Sequence, residues 1–323
     1  MAPDYEAMKN HLKGGVIPAT VTPWTPDYEL VEEDIHGHVS ELCEVDGVVA
    51  VICNAHSGEG IMVPNDMKTR VIEAHIEAAG DTPVFSAVSG ASSLESATQA
   101  KQAEEAGAEA VMVFPSEVFG LGECPPELAV EHYEIIADAV DIPLIAFQYP
   151  QFAAPPIPIE AFPEICSMEQ VIAFKEASFD PVMYEKTLRE VDDVRDEFTM
   201  ITGNDTFIYH SYLLGAETAL LLYANLIPER HVEKLRAVHD GDLERARELR
   251  NEMLPLTNFI FKGPERDLIA RVKEALVMQG KFQYATVLPP QPEISDEERD
   301  ELRGILADLS ELPKEELAAS DDD

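Results

Sequence analysis

The feature that most restricts the fold is a set of eight short runs of apolar, β-favouring residues, each followed by a longer stretch. The runs are GVIPATVT (15–22), GVVAVICN (47–54), PVFSAVS (83–89), AVMVFP (110–115), PLIAFQYP (143–150), VIAFKEAS (171–178), FTMITGN (198–204) and ETALLLYAN (217–225). Their apolar residues continue almost without interruption instead of alternating with polar ones. A strand reads this way when both faces are covered, as in a parallel sheet wrapped by helices. The stretches between carry helical signals: LESATQAKQAEEAG (94–107) closes on a glycine suited to a C-cap, and PELAVEHYEIIADAV (126–140) is amphipathic. Eight strand–helix units predict an α/β fold of the (β/α)8 TIM barrel type. The rival, a doubly wound open sheet, usually needs a GxGxxG turn after its first strand, and TVTPWTPD has none.

Beyond the eighth run the pattern becomes purely helical. PERHVEKLRAVHDG, DLERARELRNEMLPLTNFIF, PERDLIARVKEALVMQG and EISDEERDELRGILADLSEL read as amphipathic helices with proline or acidic starts. The expected organisation is a barrel over 1–228, a C-terminal helical extension over 229–312 packed on it, and an acidic tail over 313–323.

Charge narrows the partners. Asp and Glu total 62 against 23 Lys and Arg, a formal net charge of -39 spread along the whole chain. That balance excludes nucleic acid and anionic membranes as binding surfaces. The excess suits either a basic partner or a salt-rich cytoplasm that screens self-repulsion; its even spread and the scarcity of lysine favour the second. Cys43, Cys53, Cys124 and Cys166 form no CxxC pair and no metal-type spacing with histidine, as expected of reduced thiols. The N-terminal MAPDYEAMKNHLKGG lacks the apolar core of a signal peptide, and no run is long enough to span a bilayer, so a cytoplasmic location is expected. No metal-ligand set is apparent.

Active sites of (β/α)8 barrels lie at the carboxyl ends of the strands, so polar residues that close apolar runs are the candidates. Lys175 in VIAFKEAS is the most informative. Burial disfavours its charged form, and a neutral amine is what attack on a ketone requires. The plainer alternative is a lysine that snorkels outward to pair with Glu176 or another carboxylate. In CNAHSGEG (53–60), His56 and Ser57 followed by Gly58 form a polar turn whose hydroxyl and N–H groups suit a carboxylate, or else simply a solvated loop. TGND (202–205) is a second such turn.

These segments together resemble the dihydrodipicolinate synthase and N-acetylneuraminate lyase superfamily, from about Gly15 to Asn225 and more loosely beyond. GVIPATVTPW with the later Asp34 resembles the family's opening strand, AHSGEG its substrate-carboxylate turn, FKEAS its Schiff-base lysine motif on strand six, and TGND its seventh-strand turn. The resemblance implies that Lys175 forms an imine with a 2-keto acid and needs no other cofactor. It implies substrate contacts from Ser57, Gly58, Glu59, Gly203 and Asn204, and a homo-oligomer, commonly a tetramer.

Departures from the family pattern bear on the reaction. Phe147 stands where the family has a proton-relaying tyrosine on strand five, with Tyr149 two residues on, a spacing that keeps one face of a strand. The segment PQFAAPP lacks the arginine that the synthase branch places after this strand. FPSEVFG puts Ser116 and Glu117 where a loop tyrosine is usual. His56 replaces a threonine, and imidazole can give or take a proton near neutrality. The pairing of Phe147 with His56 favours a sugar-acid dehydratase: Schiff-base-dependent dehydration of a 2-keto-3-deoxy sugar acid of pentonate type to a semialdehyde keto acid, with His56 as acid or base and Glu59 and Asn204 as helpers. The alternatives are an aldolase that cleaves such acids to pyruvate and an aldehyde, with Tyr149 or water as relay, and a sugar-acid sensor without imine chemistry.

Overall fold

Eight parallel strands pair in the order β1-β8-β7-β6-β5-β4-β3-β2. They are β1 (Val16–Pro18), β2 (Val51–Cys53), β3 (Val84–Val88), β4 (Ala110–Val113), β5 (Leu144–Gln148), β6 (Val171–Glu176), β7 (Thr199–Thr202) and β8 (Thr218–Leu221). The bridges Val16↔Val48 and Ala19↔Ile52 join the first strand to the segment of the second and close the sheet. This is the (β/α)8 barrel the apolar runs predict. The structure is a computed structural model and describes residues 4–150 and 156–313 of the chain.

The near-continuous runs are explained by two cores that meet at the strand walls. Phe85, Ala87, Met112, Ile145 and Phe147 point into the barrel, whereas Val84, Val88, Val111, Leu144 and Ala146 pack outward under the helices. Neighbouring positions thus serve opposite buried faces, which favours apolar residues at both.

The helices follow in chain order: α1 (Tyr5–Leu12) ahead of β1, then α2 (Glu32–Glu44), α3 (Asn65–Ala79), α4 (Ser93–Glu105), α5 (Pro126–Ala137), α6 (Phe162–Cys166), α7 (Pro181–Glu190) and α8 (Ile208–Leu213) between strands. The 94–107 segment forms α4 with Ala106 as its cap residue, and Gly107 follows at φ 98°. After β8 comes α9 (Pro228–His239), whose Val232 and Leu235 pack on Val16, Ala219 and Leu221 in the place of an eighth barrel helix. The helices α10 (Leu243–Ile260), α11 (Leu268–Met278) and α12 (Asp296–Asp308) then build their own core around Met253, Leu256, Leu276, Leu302 and Leu306. Val21, just past β1, and Leu222, just past β8, belong to that core, so the extension covers part of the barrel's carboxyl end.

Two carboxylates tie the extension down. Asp34 on α2 accepts from the Gln283 amide N–H at 2.8 Å and from its side chain at 3.0 Å. Glu59 does the same for Leu288 and Gln291, as described below. The four cysteines are free. Among the described residues no helix is long and apolar enough to cross a membrane, and no cluster of three or more His, Cys, Asp or Glu side chains suits a metal ion. The expected acidic tail falls almost wholly outside the described residues, as does 151–155, where the synthase-type arginine was sought.

Candidate active site

Strand β6 carries Lys175 level with Phe147 of β5 and Ile201 of β7, facing the barrel interior. The side chain is buried, and its ammonium lies over the Phe147 ring at 4.5 Å from the centroid. It makes no ion pair among the described residues. Burial pushes the amine below the usual lysine range, and the Asp205 carboxylate partly opposes this. The outward, surface-paired alternative for Lys175 is therefore not what the fold produces. Glu176, its neighbour, points the other way and bonds to the Ser178 N–H and to Asn204.

Gly203 explains how the lysine passes β7. A Cβ at this position would overlap Lys175 Cε and crowd the Ala177 methyl. Only a hydrogen there leaves room for the stem, so glycine is dictated by close approach rather than by a turn.

Lys175 opens into a cavity of about 180 Å³, shared with His56 and Ser57 of the β2 turn, Phe147 and Tyr149 of the β5 end, and Asp205 after β7. His56 stands edge-to-face against Tyr149 at 5.7 Å. Its pKa is lowered by burial and next by the charge on Lys175, with Glu59 opposing, so the imidazole is neutral at pH 7. Burial raises the Tyr149 phenol. Phe147 itself is fixed from behind: its N–H donates to the Tyr133 hydroxyl at 3.0 Å, which in turn donates to the Val113 carbonyl. The Ser57 hydroxyl is buried and has no hydrogen-bond partner among the described residues. A buried hydroxyl without a partner is unusual, and Ser57 is also one of the residues that line the cavity.

Two residues expected to meet substrate are instead committed elsewhere. Glu59 is fully buried and accepts from Trp24 Nε1 at 2.8 Å, Lys273 Nζ at 2.5 Å, the Leu288 N–H at 2.6 Å and Gln291 Nε2 at 2.8 Å. Four donors saturate the carboxylate, so it holds the turn instead of acting on substrate. Asn204 donates to the Glu176 carbonyl and carboxylate and accepts from the Phe179 N–H at 2.7 Å. It clamps the ends of β6 and β7 together. Gly58 also serves the turn: its carbonyl accepts from the Thr22 hydroxyl at 2.9 Å.

Sequence reasoning missed Asp205. It closes the quoted TGND, three residues past the end of β7, and was not singled out there. Its carboxyl is pushed up by burial, against the pull of the Tyr223 N–H, Lys175 and Lys234. Phe179, Ile260 and Phe261 also line the cavity, and the last two come from the end of α10, which no local signal connects to the barrel mouth.

A closed parallel barrel whose sixth strand ends in a desolvated, inward-facing amine defines the class of lyases that activate ketones through a lysine imine. The chain belongs to the dihydrodipicolinate synthetase family, whose model matches residues 12–309. Enzymes of this family work through a catalytic lysine Schiff base without a cofactor. Among its relatives is a 4-hydroxy-tetrahydrodipicolinate synthase of Haloarcula marismortui, 30% identical over 297 residues, covering 91% of this chain and 93% of that protein. An uncharacterized DapA-like lyase of Pyrococcus furiosus is 29% identical and covers 94% of this chain and 99% of its own length. A dihydrodipicolinate synthase structure from Bacteroides thetaiotaomicron superposes with a TM-score of 0.82 at 25% identity, over 91% of this chain and 98% of that one.

Proposed function

We propose that this lyase dehydrates a 2-keto-3-deoxy acid bearing a hydroxyl on C4, the unit shared by sugar acids of pentonate type. The observation that carries the reading is a cavity lined by Ser57, whose buried hydroxyl has no partner among the described residues, and by an unpaired, desolvated Lys175. The first suits the carboxylate of a keto acid and the second its ketone.

Each step then falls to a residue of this chain. The neutral Lys175 amine adds to C2, and loss of water gives an iminium. Its positive charge acidifies the C3 protons, and the neutral His56 imidazole takes one, leaving an enamine. The enamine electrons expel the C4 hydroxyl, which leaves as water with the proton His56 has just gained. The conjugated iminium then loses a C5 proton and is protonated at C3, which moves the double bond to C4–C5; hydrolysis of the imine returns Lys175, and the C5 enol becomes the aldehyde. No alkoxide is formed, so Phe147 beside the amine is compatible with the route.

The aldolase reading keeps one specific support. Tyr149 lines the same cavity as Lys175, in contact with Phe147 at 5.1 Å between ring centroids. Its hydroxyl is a candidate base for the C4 oxygen, the role the family tyrosine at position 147 would otherwise have. Product identification separates the two. Incubation with 2-keto-3-deoxy-pentonate is expected to give a semialdehyde keto acid, whereas pyruvate and a small aldehyde would establish cleavage.

A further inference from the structure

We infer that the group this enzyme accepts on C4 of its substrate is apolar and about the size of a ring, not a chain of hydroxyls. The inference rests on the reading that Lys175 condenses with a 2-keto acid, and it concerns the part of the molecule beyond the reacting carbons.

Among the described residues, the polar groups of the cavity cluster at the reacting end or at the rim. Ser57 and Lys175 meet the carboxylate and ketone, and His56 and Tyr149 flank C3 and C4. Asp205 accepts from the Tyr223 N–H at 3.1 Å and lies in the field of Lys175 and Lys234. At the mouth, Lys262 is held by Glu301 at 2.8 Å and Glu298 at 3.4 Å, and lies over the Phe259 ring at 4.1 Å. Thr206 and Glu265 sit on the solvent-exposed rim.

What remains of the wall is apolar and comes from five separate parts of the chain. Phe114 follows β4, Phe147 lies on β5, Phe179 follows β6, Leu222 follows β8, and Ile260 and Phe261 end α10. The rings touch across the space: Phe114 and Phe147 at 4.9 Å between centroids, Phe179 and Phe261 at 5.9 Å. A polyol tail placed here would bury hydroxyls without partners, each weakening binding roughly tenfold or more. An apolar tail instead leaves water for a hydrocarbon wall. The volume of about 180 Å³ also exceeds a pyruvyl group.

The chemistry balances with such a tail. From a 4-aryl-4-hydroxy-2-keto acid, the C3 proton and the C4 hydroxyl leave together as water, and the product is an arylidene keto acid conjugated through to the ring. Cleavage of the C3–C4 bond would instead give pyruvate and an apolar aldehyde.

Borohydride trapping of full-length protein with three keto acids tests the inference: pyruvate, 2-keto-3-deoxy-pentonate, and 4-phenyl-2-oxobutanoate, which carries a ring on C4 but has no hydroxyl to lose. Each is titrated and the reduced adduct on the Lys175 peptide is quantified. Half-maximal labelling by the phenyl compound is expected at a concentration at least ~10-fold below that of the pentonate or pyruvate. Pyruvate that labels while the pentonate traps as well as or better than the phenyl compound overturns the apolar tail and leaves the imine standing. Absence of any adduct with all three removes the imine itself, and the inference with it.

Discussion

Lys175 owes its reactivity to burial, and burial has a cost that can be measured. Its folded pKa lies below that of an unfolded lysine, so between the lowered value and about 10.4 the unfolded chain binds more protons than the native one. Native stability from this site therefore increases as pH rises through that window and is lowest below it. Lys175→Met removes the desolvated amine; it is expected to abolish turnover yet raise the melting temperature by several degrees at pH 7, as read by calorimetry. The rate of imine formation with pyruvate should climb with pH and level off well below about 10.4, because only the neutral amine attacks. Gly203 makes a second residue-scale test. Gly203→Ala forces a methyl against the Lys175 stem, and a displacement on the order of 1 Å is expected to slow adduct formation about 100-fold while far-ultraviolet circular dichroism stays unchanged. Lys175 was legible in the sequence because a lone cation closing an apolar run has few explanations. Asp205 was not, since an Asp three residues past a strand end looks like any loop carboxylate until the fold turns it inward.

The β2 turn shows why a single element can mislead. In AHSGEG the most acidic-looking candidate, Glu59, sits at φ 58° and is saturated by donors from Trp24, Lys273, Leu288 and Gln291. Three of those donors lie more than 200 residues away in sequence, so no local pattern could reveal that the carboxylate was already taken. Gly60 was equally silent: a Cβ there would run into the Asn54 carbonyl. Glu59 and Lys273 form an ion pair with both side chains wholly buried, and burial also lowers Lys273 to about 8. Removing one partner of such a pair leaves an uncompensated charge and costs about 3–5 kcal/mol. Glu59→Gln is therefore expected to lower the unfolding free energy in urea by roughly 3 kcal/mol and to reduce activity through the loosened turn that carries His56 and Ser57. Adding Lys273→Met to that variant should recover part of the loss, since the stranded cation is gone. Asn204 carries the same lesson on β7, where its amide bridges β6 and β7 instead of facing the cavity.

At the scale of the molecule, the architecture was readable because strands with two buried faces leave a continuous apolar signature, repeated eight times. The cavity's far wall was not readable, because α10 delivers Ile260 and Phe261 to the barrel mouth through tertiary packing alone. The surface has its own consequence. A net charge of -39 repels itself unless counter-ions screen it, so raising potassium chloride from 0.1 to 2 M, with Debye lengths from ~10 Å to shorter, should raise the melting temperature by roughly 5 °C, about 3 kcal/mol. A flat salt response would show that the acidic excess is locally compensated. The central claim is that a chain of this fold and charge forms a covalent imine at one internal amine. Intact-protein mass spectrometry after pyruvate and borohydride at high salt measures it directly. A single reduced pyruvyl adduct per chain is expected, mapped to the peptide holding Lys175 and absent from Lys175→Met. An unmodified mass, or an adduct that persists in that variant, would contradict it.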